Sequence, residues 1–440
     1  MNKMPQSTPL PDATTMSHEA SSDDHDGDVL SDQPRETHEG YSSLANPQSV
    51  PSSDRFCFRI LAAFSLALVV DVVILLAYIF AKDPPSHTAS GEIQWLPLPS
   101  KDQTISKIAF GSCSSQYMTH PYWDTLVKLN PDLVVLMGDN VYGDCHDEQC
   151  TDLQKAYSDW ASHASFVGAT KFLPVVATLD DHDYGQGDAW SANPHKDLAK
   201  EMFLDFFDIR DERRAREGVY QHFMFGPEGQ RVQIILLDTR YSRSEFMATG
   251  NHSSPYIPDT EDTSKQMLSP TQWTWLEKSL QEPAQVRLIV SSIQALNMVT
   301  GFECWRHIPD EKERLESLLE ETSKNSVVVL LTGDRHVGGF YEDGNVKEVT
   351  ASSWTHTIPF GAYDNCTNAQ ECDEEDPRRI GDFVRVNHFG MAEIDWEQRN
   401  VMLSLRRTEA SPYYQYFHNT DHHKNNNAGE ILQSLDLPIP

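Results

Sequence analysis

Short apolar runs recur through residues 92–418, most ending at a glycine, serine or polar turn. Lys107–Gly111, Leu133–Met137, Leu173–Thr178, Val219–Phe225, Val232–Leu237, Arg287–Ser291 and Val327–Thr332 are too short for helices and read as buried strands. Val346–Ala351, Val384–Ile394 and Asn400–Arg406 extend the series. Amphipathic runs lie between several of them. "HPYWDTLVKLN" carries Pro121 in a first helical turn, and "SPTQWTWLEKSL" offers Ser269 as cap, Pro270 after it, and Trp273, Leu276 and Leu280 on one face. This alternation, ending in strand-rich segments, predicts an α/β protein of layered sheets with helices outside.

The longest apolar run lies outside this body. Ile60–Phe80 has 21 residues and one charge, Asp71. As a helix it would extend about 31 Å, the thickness of a bilayer core. Asp71 would cost about 2.5–3.5 kcal/mol at mid-bilayer, and marks a helix–helix contact if it sits there. The predicted organisation is a disordered acidic tail at 1–57, a transmembrane helix at 58–81, a stalk at 82–91, a catalytic domain at 92–418 and a polar tail at 419–440. Arg55 and Arg59 precede the span, which favours a cytosolic N-terminus and a lumenal or extracellular body, a type II single-pass orientation. Four of the seven cysteines form close pairs in polar loops, Cys145/Cys150 and Cys366/Cys372, a pattern suited to disulfides within or between the loops. Asn251-His252-Ser253 and Asn365-Cys366-Thr367 are glycosylation sequons. With 66 acidic residues against 35 basic ones, the net charge of −31 argues against nucleic acid as a partner. The mixed run Arg210–Glu217 reads as a solvated helix end, since acids interleave its arginines.

Four strand ends carry more chemistry than turns require. They are "GSC" (Gly111–Cys113), "GDNVY" (Gly138–Tyr142), "LDDHDYG" (Leu179–Gly185) and "GDRHVGG" (Gly333–Gly339). Layered α/β folds place their sites at the carboxyl ends of strands. Carboxylates converging there repel one another unless a cation lies between them.

These runs, with "LDTRY", "SSIQ" and "VTASSWTHT", resemble the alkaline phosphatase D-like (PhoD-like) branch of the metallophosphoesterase superfamily across most of residues 105–357. The resemblance implies a two-sheet sandwich flanked by helices, with a metal cluster at the strand ends. It implies that Asp139 bridges two metals and that Tyr142 binds ferric iron, with Cys113 and His336 as further ligands. Phenolate and thiolate suit a highly charged, redox-active ion; the alternative for Cys113 is a small buried hydrophobe. The second site departs from the superfamily pattern, because Asp180-Asp181-His182 and Gly333-Asp334-Arg335-His336 replace nitrogen and amide ligands with carboxylates. Such a site prefers a hard divalent ion: calcium as the family implies, or magnesium or manganese, held by Asp139, Asp181 and Asp334. Asp180 is either a ligand or a partner of one. Asn140 would contact the ion or the phosphate, Arg335 would hold phosphoryl oxygens, and His182 would protonate the leaving oxygen or orient the nucleophile. Arg240 reads equally as a phosphate contact and as a partner for Asp238. Trp354 and His356 either line the pocket or pack beside it.

The resulting expectation is a membrane-anchored metal-dependent phosphatase or phosphodiesterase, acting on small phosphate mono- or diesters or on phospholipid. Two other classes stay open at this level: a catalytically inactive ligand-binding ectodomain of the same fold, and a structural anchor whose tail is the functional part. The sequence leaves the oligomeric state open.

Overall fold

The computed structural model describes residues 93–361, 366–408 and 427–440. The segments read as an N-terminal tail at 1–57, a transmembrane helix at 58–81 and a stalk at 82–91 lie outside the described residues, as does Asn365. Among the described residues no helix is long and apolar enough to cross a membrane.

The chain opens with β1 (Lys107–Gly111), α1 (Tyr122–Leu129), β2 (Leu133–Met137), α2 (Thr151–Ala161), α3 (Ala164–Ala169), β3 (Val175–Thr178) and α4 (Lys196–Phe206). Next come β4 (Gln221–Phe225), β5 (Val232–Leu236), a small ribbon of β6 (Met247–Ala248) and β7 (Tyr256–Ile257), α5 (Pro270–Leu280) and β8 (Val286–Ser291). The remainder is α6 (Pro309–Ser323), β9 (Val327–Thr332), β10 (Gly338–Asp343), β11 (Val346–Ala351), α7 (Ala369–Cys372), β12 (Arg379–Val384), β13 (His388–Asp395), β14 (Asn400–Arg407) and β15 (Ile431–Pro438).

Two large sheets result. One runs β15-β14-β13-β1-β2-β3 and the other β12-β10-β11-β9-β8-β5-β4. In the first, β1, β2 and β3 are parallel; in the second, β5, β8, β9 and β11 are parallel. Side-chain alternation sorts these strands between two apolar layers. Ile108, Phe110, Val135 and Met137 meet Ile234, Leu236, Val290 and Leu331 between the sheets. Ala109, Val134 and Leu136 point the other way, against Trp123, Leu126, Trp160 and Phe166 of α1, α2 and α3. Ile235, Ile289, Val328 and Leu330 do the same against Trp273, Leu276, Leu315 and Leu319 of α5 and α6. The predicted two-sheet sandwich flanked by helices is therefore present. Helix α5 starts as its sequence indicates, with the Ser269 side chain accepting from the Gln272 amide and Pro270 at the first turn.

Two expectations need correction. The polar tail at 419–440 is not all tail: Ile431–Pro438 forms β15, paired antiparallel along β14, with Leu437 and Ile439 buried. Its residues are mostly exposed or half-exposed, as expected for an edge strand with one solvated face, so its apolar signal is weak. The single strand read over Val384–Ile394 is two strands in different sheets, separated at Arg385–Asn387. The run Arg210–Glu217 is largely exposed around a short 3-10 turn at Glu212–Arg214, as read, and its arginines pair with acids, Arg213 on Asp211 and Arg214 on Glu201 and Asp205.

Candidate metal centre

The runs after β2, β3 and β9 line one cleft, and the run after β1 brings Cys113, fully buried, against Asp139 beside it. The backbone is forced sharply there. Cys113, Asp139, Asp334 and His336 all take positive φ, at 63°, 47°, 68° and 50°. Non-glycine residues rarely adopt this region, and such strain concentrates at functional sites. Gly138 has φ 106°, and a Cβ there would lie 2.5 Å from Cβ of Asp180. Only glycine lets the β2 and β3 ends come so close.

Four overlapping donor groups are assembled: Cys113/Asp139/His336, Asp139/Asp181/His182, Asp180/Asp181/Asp334 and Asp181/Asp188/Glu303, each with ligand atoms within 4.8 Å of one another. Asp139 links the first two. Its Oδ2 lies 3.7 Å from Cys113 Sγ and accepts from the Tyr142 hydroxyl at 3.1 Å, while Oδ1 faces the His182 amide at 3.4 Å. The Tyr142 hydroxyl also lies 3.1 Å from His336 Nε2. Ser352 Oγ sits 3.1 Å from the Cys113 sulfur and accepts from the His336 amide. Gln116 clasps the backbone of Tyr142 at both its N–H and its carbonyl, at 2.8 and 2.7 Å.

Charge is the dominant problem of this cluster. Burial, then Asp181 and Cys113, hold the Asp139 carboxyl well above its usual range. Burial followed by Glu303, Asp180 and Asp181 does the same to Asp334. Burial raises the Cys113 thiol to about 12 and lifts the Tyr142 phenol. Burial, with His356 beside it, depresses His336 to about 3. Asp181 moves the other way: burial opposes its ionisation, but Arg240 and His182 outweigh it. His182 rises to about 10, since Asp181, Asp144 and Asp139 overcome the burial that disfavours its charge. A metal-free cluster thus retains protons that a bound cation would displace. The buried oxygens Asp180 Oδ2 and Asp181 Oδ1 accept no hydrogen bond. The residues therefore fit a cation cluster: a soft and phenolic donor set on one side of Asp139, Asp181 with His182 on the other, and an all-carboxylate group of Asp180, Asp181 and Asp334 sharing Asp181 with it.

The predicted site residues divide on this geometry. Cys113, Asp139, Tyr142, Asp181, His182, Asp334 and His336 come together. Asp180 is divided: Oδ1 accepts from Arg240 Nε at 2.5 Å and Ser292 Oγ at 2.6 Å, while Oδ2 has no partner and the residue stands within reach of Asp181 and Asp334. The Asn140 amide group donates to the Thr178 carbonyl at 2.9 Å and to Asp183 at 3.1 Å, so it braces the β2–β3 ends beneath the cleft. Arg335 lines the cleft, but its guanidinium is engaged by Thr300, by Gln294 at 3.3 Å and by Glu374 at 3.0 Å. Arg240 meets Asp238 only through its backbone N–H; its fully buried side chain serves Asp180 and Glu303. Trp354 is buried and stacks on Tyr122 at 4.5 Å between ring centroids, the packing alternative. His356 stands at the site, 4.4 Å from the His336 ring and 5.3 Å from Tyr142. The paired cysteines close within their own loops, Cys145–Cys150 and Cys366–Cys372, while Cys113 and Cys304 are free and buried.

The model of the PhoD-like phosphatases matches residues 108–405, which include every one of these side chains. The chain belongs to the PhoD-like phosphatase family. The solved structure of PhoD superposes with a TM-score of 0.55 at 19% identity, covering 72% of this chain and 69% of that one. A weaker match is GAP50, the anchor in the inner membrane complex of Plasmodium, with a TM-score of 0.47, 12% identity and coverage of 77% and 90%. The 5'-nucleotidase from Candida albicans SC5314 follows with a TM-score of 0.35, 12% identity and coverage of 70% and 52%. No curated protein matches the chain in sequence.

Four residues of the site escape the sequence reading: Gln116, Asp144, Asp188 and Glu303. Asp144 and Asp188 occur in Gly-Asp pairs that look like ordinary turns, and Glu303 lies in a loop with no periodicity. Gln116 carries a signal only in hindsight of its burial, at 3% exposure.

Proposed function

We propose that the chain is a metal-dependent phosphoric ester hydrolase acting on small phosphate mono- or diesters. The observation that carries this reading is Asp139, one carboxylate shared by two donor groups of different chemical hardness. Cys113, Tyr142, His336 and one oxygen of Asp139 would hold Fe3+. Asp181, Asp334 and the other oxygen would hold Ca2+, with Mg2+ or Mn2+ as substitutes. When bound, such ions lower the pKa of water towards neutrality and polarise phosphoryl oxygen.

The chain's own residues do the rest. The Gln116 clasp and the Asp139 and His336 contacts fix the phenol of Tyr142. Arg240 pairs with Asp180 Oδ1 and with Glu303, offsetting their charge and leaving Asp180 Oδ2 without a protein partner. His182, on the cleft wall, supplies a proton to the departing oxygen. Arg335 holds its wall through Glu374 and Thr300, and contacts phosphate only by exchanging those partners. The cleft, about 460 Å³, has room for a small ester.

The same proposal places this domain outside the cytosol behind a type II helix at 58–81. The two loop disulfides support an oxidising compartment. The test is turnover by the purified full-length protein of a monoester, a diester and a phospholipid, before and after chelation. Hydrolysis of at least one small ester, lost on chelation and restored by iron with calcium, is expected. A metal-loaded protein that cleaves none of the three supports an inactive ligand-binding ectodomain instead.

A further inference from the structure

One sequon of the chain lies at the edge of the cleft. Asn251-His252-Ser253 occupies the loop between β6 and β7, and His252, Ser253, Pro255 and Tyr256 line the cavity wall. Asn251 is exposed and does not line the cavity, so a group attached to it stands on the rim and not inside. We infer that Asn251 is a glycan acceptor and that its glycan keeps lipid surfaces off the mouth of the cleft, confining the site to small soluble phosphate esters; this rests on the hydrolase reading and on the placement outside the cytosol proposed above.

The loop is fastened to the cleft wall, which sets the attachment point beside the mouth. The Asn251 N–H donates to Thr249 Oγ1 at 3.0 Å, and the Ser254 N–H donates to the Asn251 carbonyl at 3.2 Å. The Thr249 N–H donates to the Pro255 carbonyl at 2.8 Å, and the Tyr256 N–H to the Gly301 carbonyl at 2.8 Å. The Tyr256 hydroxyl donates at 2.6 Å to Asp188 Oδ2, a carboxylate of the same cleft. A Cβ at Gly301 would collide with the Ser254 side chain, so only glycine lets the loop lie this close to the segment carrying Phe302 and Glu303. The Asn251 side-chain oxygen accepts the Ser253 N–H at 3.0 Å, a two-residue turn that asparagine favours. Nδ2, the nitrogen that a glycan takes, stays outside that bond.

The modification is a group transfer from a polyprenyl diphosphate oligosaccharide. Nδ2 of Asn251 forms a bond to C1 of the first sugar. The bond from C1 to the diphosphate oxygen breaks with its electron pair on that oxygen, and Nδ2 gives up one proton to solvent. The two loop disulfides suit the secretory compartment in which such donors are used. The product is bulky and hydrated. A small ester passes beside it to the cations. A bilayer must press its headgroups against the rim to deliver a phosphodiester, and there the glycan stands in the way.

Full-length protein made in a eukaryotic host tests both halves. Glycopeptide mapping should find on Asn251 a glycan that a peptide N-glycosidase removes, and protease protection in sealed microsomes reports the side of the membrane independently. Asn251→Gln and glycosidase-treated wild type should both keep kcat/KM on a small soluble ester within about twofold, and raise it on phospholipid in zwitterionic vesicles by about tenfold, through KM and not kcat. A protected domain with a bare Asn251 overturns the inference and leaves the placement standing; a domain digested in sealed microsomes overturns both. A glycan whose removal brings no gain on vesicles has a solubilising role only, and overturns the screening of the cleft. If no form cleaves any ester, the hydrolase reading fails and the confinement of its site with it, while the mapping still decides the modification of Asn251.

Discussion

Asp139→Asn is expected to lower kcat by about a thousandfold and to reduce the content of both metals. An amide of the same shape keeps one acceptor but loses the charge and the second equivalent oxygen. The loss corresponds to about 4 kcal/mol of transition-state stabilisation, within what a Lewis-acid centre supplies. The two oxygens face different donor groups, Cys113 and Tyr142 on one side and the His182 loop on the other, so neither side is spared. Steady-state kinetics and elemental analysis of the same preparation check this. Asparagine at 139 with full metal content and normal kcat would remove the bridging role.

Arg240→Ala should be the most damaging change to stability. The guanidinium is fully buried, with Nε 2.5 Å from Asp180 and Nη1 2.6 Å from Glu303. Arg243 gives Glu303 a second cation at 2.7 Å, but Asp180 has no comparable alternative among the described residues. Removing one member of a buried pair leaves an uncompensated charge, at a cost of about 3–5 kcal/mol. Denaturant unfolding of chelator-treated protein measures this, so that no cation substitutes for the arginine. Adding Asp180→Asn and Glu303→Gln should recover much of the loss, whereas a purely steric role for Arg240 predicts no recovery.

Much of the fold was legible because apolar runs report buried strands directly. Leu133–Met137 and Val327–Thr332 are buried throughout and lie where their composition places them. β10 and β15 were not legible. β10 begins with Gly338-Gly339, poor strand formers, and β15 offers one half-exposed face. At the site, the ordered motifs located Cys113, Asp139, Tyr142, Asp181, Asp334 and His336, since each follows a strand that delivers it. Asp180 and Asp181 are adjacent, and spacing could not separate them. Tertiary structure does, because successive residues point apart: Asp180 turns to Arg240 and Ser292, while Asp181 turns to the cleft. Asn140 and Arg335 were read for their chemistry, but their hydrogen bonds run to Thr178, Asp183, Thr300 and Glu374 across large separations in sequence. The same distance hid Glu303, which joins the cluster only through Arg240 and Arg243.

The most direct measurement is the visible spectrum of the purified, metal-analysed protein beside that of Tyr142→Phe. The account predicts iron and calcium in the wild type and a phenolate-to-iron absorption band that the phenylalanine variant bleaches or shifts. A colourless, fully active wild type containing only zinc or manganese would contradict it.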